Sequence, residues 1–410
     1  MPHDAHNKAI TKYLKQWAHT LPADVTNQLP ATYQHCVVIP VYDEPLSAIK
    51  CLPHWPNTLV ILVFNYPDNG NAKAIDQTQS VFNQITYQST NNSEHQQYEW
   101  SIDHKNNSAS VLAINTGPLP HKKGVGLARK IGFDWALFLY EKGILSQPWI
   151  HSSDADVSWP DDWLERSANQ NKANQSQGAL VYPFEHKSTA PESALATELY
   201  DCKLRYYVEG LTFTSSPWNF HTIGSTLAIH ANAYASVRGF PQRSAGEDFH
   251  LLCKIGQHWT VASIEGAPLI IQGRPSTRVP FGTGPSIKKL SEELNPHSHP
   301  LFYHPNVFEH LRRFLQSFAA MTPTTKLCES LFTFWNIERW KHSLQADPTP
   351  ANQRQFFDAL KTLRTIHEIH RLLGLPRVSA NTLLDHPPKW LSPNLTDRLI
   401  RSSIRETPHA

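Results

Sequence analysis

The sequence predicts an α/β fold: a mostly parallel β-sheet flanked by helices, followed by a helical C-terminal region. Three observations carry this. Four apolar runs rich in β-branched residues recur between residues 36 and 152. Runs without polar alternation suit strands covered on both faces, as in parallel sheets. A stretch of helical periodicity separates the third run from the fourth, which is the alternation of an α/β sandwich. Past Pro280 the pattern changes, and from Asn306 onward apolar residues recur at helical spacing.

Taken in order, residues 7–21 read as an amphipathic helix ended by Pro22. The four strands are expected at residues 36–42, 58–64, 110–115 and 149–152. Val125, Ala128, Ile131, Phe133, Trp135 and Phe138 mark a helix over 124–142, whereas the polar, Asn- and Gln-rich stretch 86–110 reads as a surface excursion. Further strands are expected at 178–183, 222–229 and 261–271, and a helix at 192–208. Phe308, Leu311, Phe314, Leu315 and Phe318 then open a helical series that continues through 331–340 and 356–373, punctuated by Pro348, Pro350 and Pro376. The expected division is a helical extension at 1–30, an α/β domain at 31–300 and a helical region at 301–410. No internal repeat is visible.

Composition narrows the function. Among 410 residues, 37 Lys and Arg against 35 Asp and Glu leave +2, without the basic excess of a dedicated nucleic-acid binder. The longest apolar run, Leu59 to Phe64, is about a third of a membrane span. The first residues hold no apolar signal core, and five widely spaced cysteines form no CxxC pair. A disulfide framework or zinc knuckle is therefore not expected, a cytoplasmic setting fits, and Cys36 and Cys253 read as small core residues.

Four local features carry chemistry. Asp154-Ala155-Asp156 follows the fourth strand, so in extended chain both carboxylates face one side and offer hard oxygen ligands to Mg²⁺ or Mn²⁺. Alone, the tripeptide is more often an acidic turn, here running into Asp161 and Asp162 as helix-capping residues. The first strand leaves through Val41-Tyr42-Asp43-Glu44, either an ordinary polar exit or an aromatic and carboxylates for a nucleobase and ribose. Residues 121–130 place His121, Lys122, Lys123, Arg129 and Lys130 around two glycines at a helix start. Cations there oppose the helix dipole, so an anion is the favoured reading over a solvated loop. Last, Gly239-Phe240-Pro241 precedes Gly246-Glu247-Asp248, where the acids cap a helix or supply a general base.

Together, VVIPVYDE at 37–44, KGVGLARKIGFDWAL at 123–137, SDADV at 153–157, and IGSTLAIHANAYASVRGFP followed by AGEDFHL resemble, in order and spacing, the family 2 glycosyltransferases of the GT-A fold. The resemblance covers about residues 35–280. It implies a metal-dependent transfer of sugar from a nucleotide-diphosphate sugar to an acceptor hydroxyl, with inversion. Pro40, Tyr42 and Glu44 then match nucleotide contacts. Asn65 stands where the family's base-reading aspartate falls, which leaves the nucleobase open with UDP as default. Lys123 and Arg129 match basic positions near the diphosphate. Asp154 and Asp156 match the D-x-D that meets ribose and a divalent metal (Mn²⁺ or Mg²⁺), Asp156 more directly. Asp248 matches the catalytic base, with Glu247 beside it assisting acceptor placement.

Around these, Arg274, Arg278 and the glycines at 282 and 284 read equally as a phosphate-covering loop or a plain linker. His297 and His299 are candidates for a third metal ligand, and Trp218 and His221 for an acceptor pocket. The resemblance leaves the acceptor unassigned among sugar, glycan, lipid and small molecule. A retaining GT-A transferase such as the glycosylglycerate synthases, and a non-catalytic sugar-nucleotide-binding scaffold, are the alternatives; a nucleotidyltransferase lacks its Gly- and Arg-bearing loop after the first strand. Without a membrane span, a soluble acceptor or peripheral membrane contact remains.

Overall fold

The computed structural model describes residues 3–19, 25–29, 32–86, 91–94, 99–106, 109–170, 176–276, 278–346 and 349–404. It divides into two units: Met1–Phe184 with Thr222–Ile255 and Trp259–Ile271, and Glu185–His221 with Gly256–His258 and Gln272–Ala410.

The first unit is built on a nine-stranded sheet. Its strands are β1 (His35–Val41), β2 (Thr58–Pro67), β3 (Asn91–Glu94), β4 (Glu99–Asn106), β5 (Ala109–Leu119), β6 (Trp149–Ser152), β8 (Gln177–Val181), β10 (Leu227–His230) and β11 (Thr260–Ser263). β7 (Val157–Ser158) pairs outside this sheet with β12 (Leu269–Gln272), and β9 (Phe184–Lys187) leads out of the unit. The order is β11-β8-β10-β6-β1-β2-β5-β4-β3. The central pairs β6–β1, β1–β2 and β2–β5 are parallel, with Val38 opposite Ser152 and Val41 opposite Phe64. These strands carry the apolar runs, and β1 and β2 are buried over nearly their whole length. Antiparallel neighbours flank them: β10 against β6 and β8, and β4 against β5. The helix Gly124–Glu141 packs on β1 and β2, and Ala72–Thr86 on β2.

Several expectations are corrected. The stretch 86–110 is no mere excursion: β3 and β4 extend the sheet, and Ile102 is buried. The polar composition of the stretch hid the strands, because the apolar periodicity that marks a strand is weak there. The expected strand at 261–271 is two strands, β11 and β12, with Gly266 at φ 131° between them. Only Leu227–His230 of 222–229 is strand, and the helix begun at 192 runs Pro191–Phe213. The N-terminal helix is His3–Gln16, and Pro22 lies outside the described residues.

The second unit is helical. Leu199, Tyr206 and Leu211 of Pro191–Phe213 share a core with Phe308, Leu311, Phe314, Leu331, Ile366 and Leu395. With that apolar face, residues 185–221 belong to the helical unit. Among the described residues no helix is long and apolar enough to cross a membrane.

Candidate active site

Parallel pairing of β6, β1 and β2 brings their C-terminal ends to one edge, the usual ligand edge of an open α/β sheet. Residues 42–44, 65–68 and 153–156 follow from these ends. Because β10 is antiparallel to β6, with Leu227 opposite Ser152, the segment before it reaches the same edge.

At this edge lies a buried guanidinium. Arg129, one turn into the helix Gly124–Glu141, is 3% exposed. Its Nε donates to Glu247 Oε1 at 3.0 Å and its Nη2 to Asp154 Oδ1 at 2.7 Å. Nη1 donates to Ser152 Oγ at 2.8 Å and to the Ser153 carbonyl at 3.3 Å. One side chain thereby ties the end of β6 to the start of the helix Glu247–His258. Burial works against its charge, but Asp154, Glu247 and Asp248 outweigh burial and hold it more firmly protonated than usual. Gly224 leaves room for this: a Cβ there would sit 3.0 Å from Nη2.

Glu247 is buried and Asp248 partly buried, in the first turn of their helix behind Gly246 at φ 69°. Burial first, then the neighbouring Glu247, push the Asp248 carboxyl up to about 7, against backbone N–H bonds from Phe249 and Gly224 and the charge of Arg129. The Phe249 N–H reaches Asp248 Oδ1 at 2.7 Å. A carboxylate poised near neutrality is suited to proton transfer.

Asp154 remains 37% exposed at its side chain while pairing with Arg129, and Asp156 is partly exposed. Among the described residues one guanidinium thus faces three carboxylates, those of Asp154, Glu247 and Asp248, with Asp156 two residues past Asp154. Hard oxygen donors with excess negative charge fit Mg²⁺ or Mn²⁺, which take one or two carboxylates and leave other positions to phosphate and water. Among the described residues no group of three or more His, Cys, Asp or Glu converges as an all-protein ion site. His297 and His299 belong to the helical unit, where His299 pairs with Glu293 at 3.1 Å.

The other sequence candidates divide. Pro40 and Tyr42 are partly exposed and Glu44 is buried at the end of β1. Asn65 is buried, and its amide donates to the Val63 and Val41 carbonyls at 3.0 and 3.3 Å, bracing β2 against β1. Lys123 is exposed at the helix start, but the Gly126 N–H there is engaged by the Arg243 carbonyl at 2.9 Å. In the helical unit Trp218 is buried and donates to the Phe357 carbonyl at 3.1 Å, which makes it a core residue. Burial pulls His221 down to about 4.

The sequence reading missed Ser152, Ser153, Gly224 and Trp159. Trp159 donates to Ser153 Oγ at 2.8 Å and meets Trp55 edge-on at 5.0 Å, so a partly exposed ring is fixed beside the D-x-D. Its place three residues after Asp156 was the available signal.

No family model and no curated protein matches the sequence. Among solved structures, the chain is similar to the mannosyltransferase PcManGT from Pyrobaculum calidifontis, in complex with GDP-Man and Mn²⁺. That alignment has 14% identity and covers 98% of this chain and 95% of that one, with a TM-score of 0.34. It is also similar to S. aureus TarS 1–349 in complex with UDP-GlcNAc, at 13% identity, 83% and 92% coverage, and a TM-score of 0.37. At these scores the likeness is loose, and the chemistry of this chain stands on its own residues.

Proposed function

We propose that this chain is a glycosyltransferase of the GT-A type, moving a sugar from a nucleoside-diphosphate sugar to an acceptor hydroxyl with inversion. The observation that supports it is the convergence of Asp154, Glu247 and Asp248 on buried Arg129 at the ligand edge of the sheet. Three motifs far apart in sequence meet there in one charge cluster.

In this reading the nucleoside lies along the end of β1, against Pro40, Tyr42 and Glu44. Asp154 and Asp156 would hold Mg²⁺ or Mn²⁺. When bound, such an ion neutralises charge on the departing diphosphate. Asp248 takes the proton of the acceptor hydroxyl as that oxygen bonds to the anomeric carbon. The bond from that carbon to the phosphate oxygen breaks, its electron pair leaves with the nucleoside diphosphate, and Asp248 returns the proton to water. Arg129 and Glu247 position these groups rather than touch the diphosphate. Trp159 offers an aromatic face to a sugar ring.

Asp248→Asn should lower turnover at least about 100-fold while leaving donor binding intact. Donor binding is read from thermal shifts with UDP-, GDP-, ADP- and dTDP-sugars, each with Mn²⁺ or EDTA. For wild type, kcat/KM should rise with pH toward a plateau above about 7, since only the ionised carboxyl accepts a proton. Wild-type turnover in the variant would remove Asp248 as base, and absence of every donor shift would remove the sugar-nucleotide reading. The anomeric configuration of the product separates inversion from retention.

A further inference from the structure

Most apolar stripes of the helical unit are core, but one aromatic surface is not. Phe334 ends the helix Lys326–Phe334 and is 41% exposed; Trp340, on the helix Ile337–Ala346, is 45% exposed. Between these helices Asn336 has φ 52°, a left-handed corner that ends one and starts the next, and the two pack on each other. The surface is continuous. Phe334 meets Trp335 at 4.8 Å, and Trp340 meets Phe356 at 5.7 Å. The Lys361 ammonium lies over both Phe356 and Trp335, at 3.9 and 5.7 Å.

Cations frame these rings. Arg339 stands over Trp340 at 5.9 Å and Arg364 over Trp335 at 5.3 Å, both exposed, and Lys341 follows Trp340. Leu360, 39% exposed, lies one turn before Arg364 on the helix Ala359–Leu373. The nearby acids are engaged: Glu338 pairs with Lys341 at 3.5 Å, and Asp358 caps its helix by accepting from the Lys361 N–H at 2.8 Å. Among the described residues here, Lys341 and Lys361 are set against Glu338 and Asp358, and the Lys361 ammonium also donates to the Phe356 carbonyl, which leaves the exposed Arg339 and Arg364 as the positive excess.

We infer that this patch, Phe334, Trp340 and Leu360 framed by Arg339, Lys341, Lys361 and Arg364, docks the protein on an anionic lipid surface. Indole and phenyl rings favour the headgroup–acyl boundary, where their apolar bodies leave water. Guanidinium and ammonium groups at the same level meet lipid phosphates, and each contributes only near the surface and at moderate salt. The positive excess selects an anionic surface over a neutral one. Rings about half exposed on either side of a helix corner suit shallow insertion into a fluid surface.

The test is co-sedimentation of the full-length protein with phosphatidylcholine vesicles, with and without about 30% phosphatidylglycerol, at low and high salt. Expected is binding to the anionic vesicles alone, weakened at least fivefold by 0.5 M salt. Phe334→Ser with Trp340→Ser should abolish it, and Arg339→Gln with Arg364→Gln should reduce it at least threefold. All four residues are exposed, and unchanged thermal unfolding of each variant establishes that the fold is kept. Equal binding to neutral vesicles, no binding to anionic ones, or full binding by the aromatic variant would overturn the proposal. So would a dimer of the wild type that Trp340→Ser makes monomeric, since the face would then be an interface between copies. None of these readouts depends on sugar transfer.

Discussion

Arg129 and Lys130 are neighbours on one helix, yet they organise two unlike charge clusters. Lys130 donates to Asp134 Oδ2 at 2.9 Å and to the Tyr13 hydroxyl; Tyr13, Tyr234 and the His19 N–H also donate to Asp134. This cluster is closed. Lys130, Asp134, Tyr13 and Tyr234 are all buried, one cation meets one anion, and the N-terminal helix His3–Gln16 is fastened to Gly124–Glu141. Gly239, at φ 71°, completes it, because a Cβ there would lie 2.4 Å from the Tyr13 hydroxyl. The Arg129 cluster is open: its carboxylates outnumber its cation, and Asp154 reaches solvent. A balanced buried network serves the fold, whereas the unbalanced one at the sheet edge holds, in the function proposed above, charge for a proton or a cation.

The largest break in the comparison is loss of either cation. Arg129→Met and Lys130→Met should each cost about 3–5 kcal/mol in denaturant unfolding, because a buried carboxylate loses its partner. Replacing whole clusters sharpens the contrast. Lys130→Met, Asp134→Leu, Tyr13→Phe and Tyr234→Phe together should return to within about 2 kcal/mol of wild type, since apolar groups of similar volume substitute well for buried ions. Activity should survive. Arg129→Met with Glu247→Leu should recover stability in the same way and remain inactive.

The clusters should also differ in the sign of their pH dependence. For Asp134, burial pushes the carboxyl up, but the bonds from His19, Lys130 and Tyr13 outweigh it and hold the group below the usual range. Its folded pKa lies below its unfolded one, so its contribution is present above about pH 4 and disappears as pH falls further. Asp248 has the opposite sign. Its folded pKa, about 7, exceeds the unfolded value, so stability declines as pH rises from about 4 to 7. Asp248→Asn should flatten the neutral side of the stability–pH profile, and Asp134→Asn the acid side.

Gly224→Ala comes next. The added Cβ presses on an Nη2 already held by Asp154, for a cost of about 1–2 kcal/mol and at least a tenfold loss of turnover. His19→Ala is the smallest effect. His19 sits at the partly exposed rim of the closed cluster, so its loss should cost about 0.5–1 kcal/mol and leave turnover unchanged.

Much was legible in sequence where a signal is local. The runs at 36–42 and 58–64 are strands because nothing polar interrupts them, and the parallel centre of the sheet follows from their burial on both faces. The helix from Gly124 was likewise written in its apolar spacing. The strand Glu99–Asn106 was not, because a sheet's outer strands carry little apolar pattern. Asp154, Glu247 and Asp248 were singled out by position within motifs, but their common partner was not. Arg129 read as a basic residue near a diphosphate, and tertiary packing encloses it among carboxylates.

The sequence by itself determined the strand cores, the central helix and the acidic residues, because hydrophobic periodicity and capping chemistry act over a few neighbouring residues. Only the tertiary structure decided which charges meet. Arg129 and Lys130 are indistinguishable in sequence, and one helical step of about 100° sends them to opposite duties. Pairing between β6 and β10 and the seating of His3–Gln16 determine which carboxylates each cation finds. Such long-range geometry is set by packing, since Coulomb energy depends on distance and burial rather than on order along the chain.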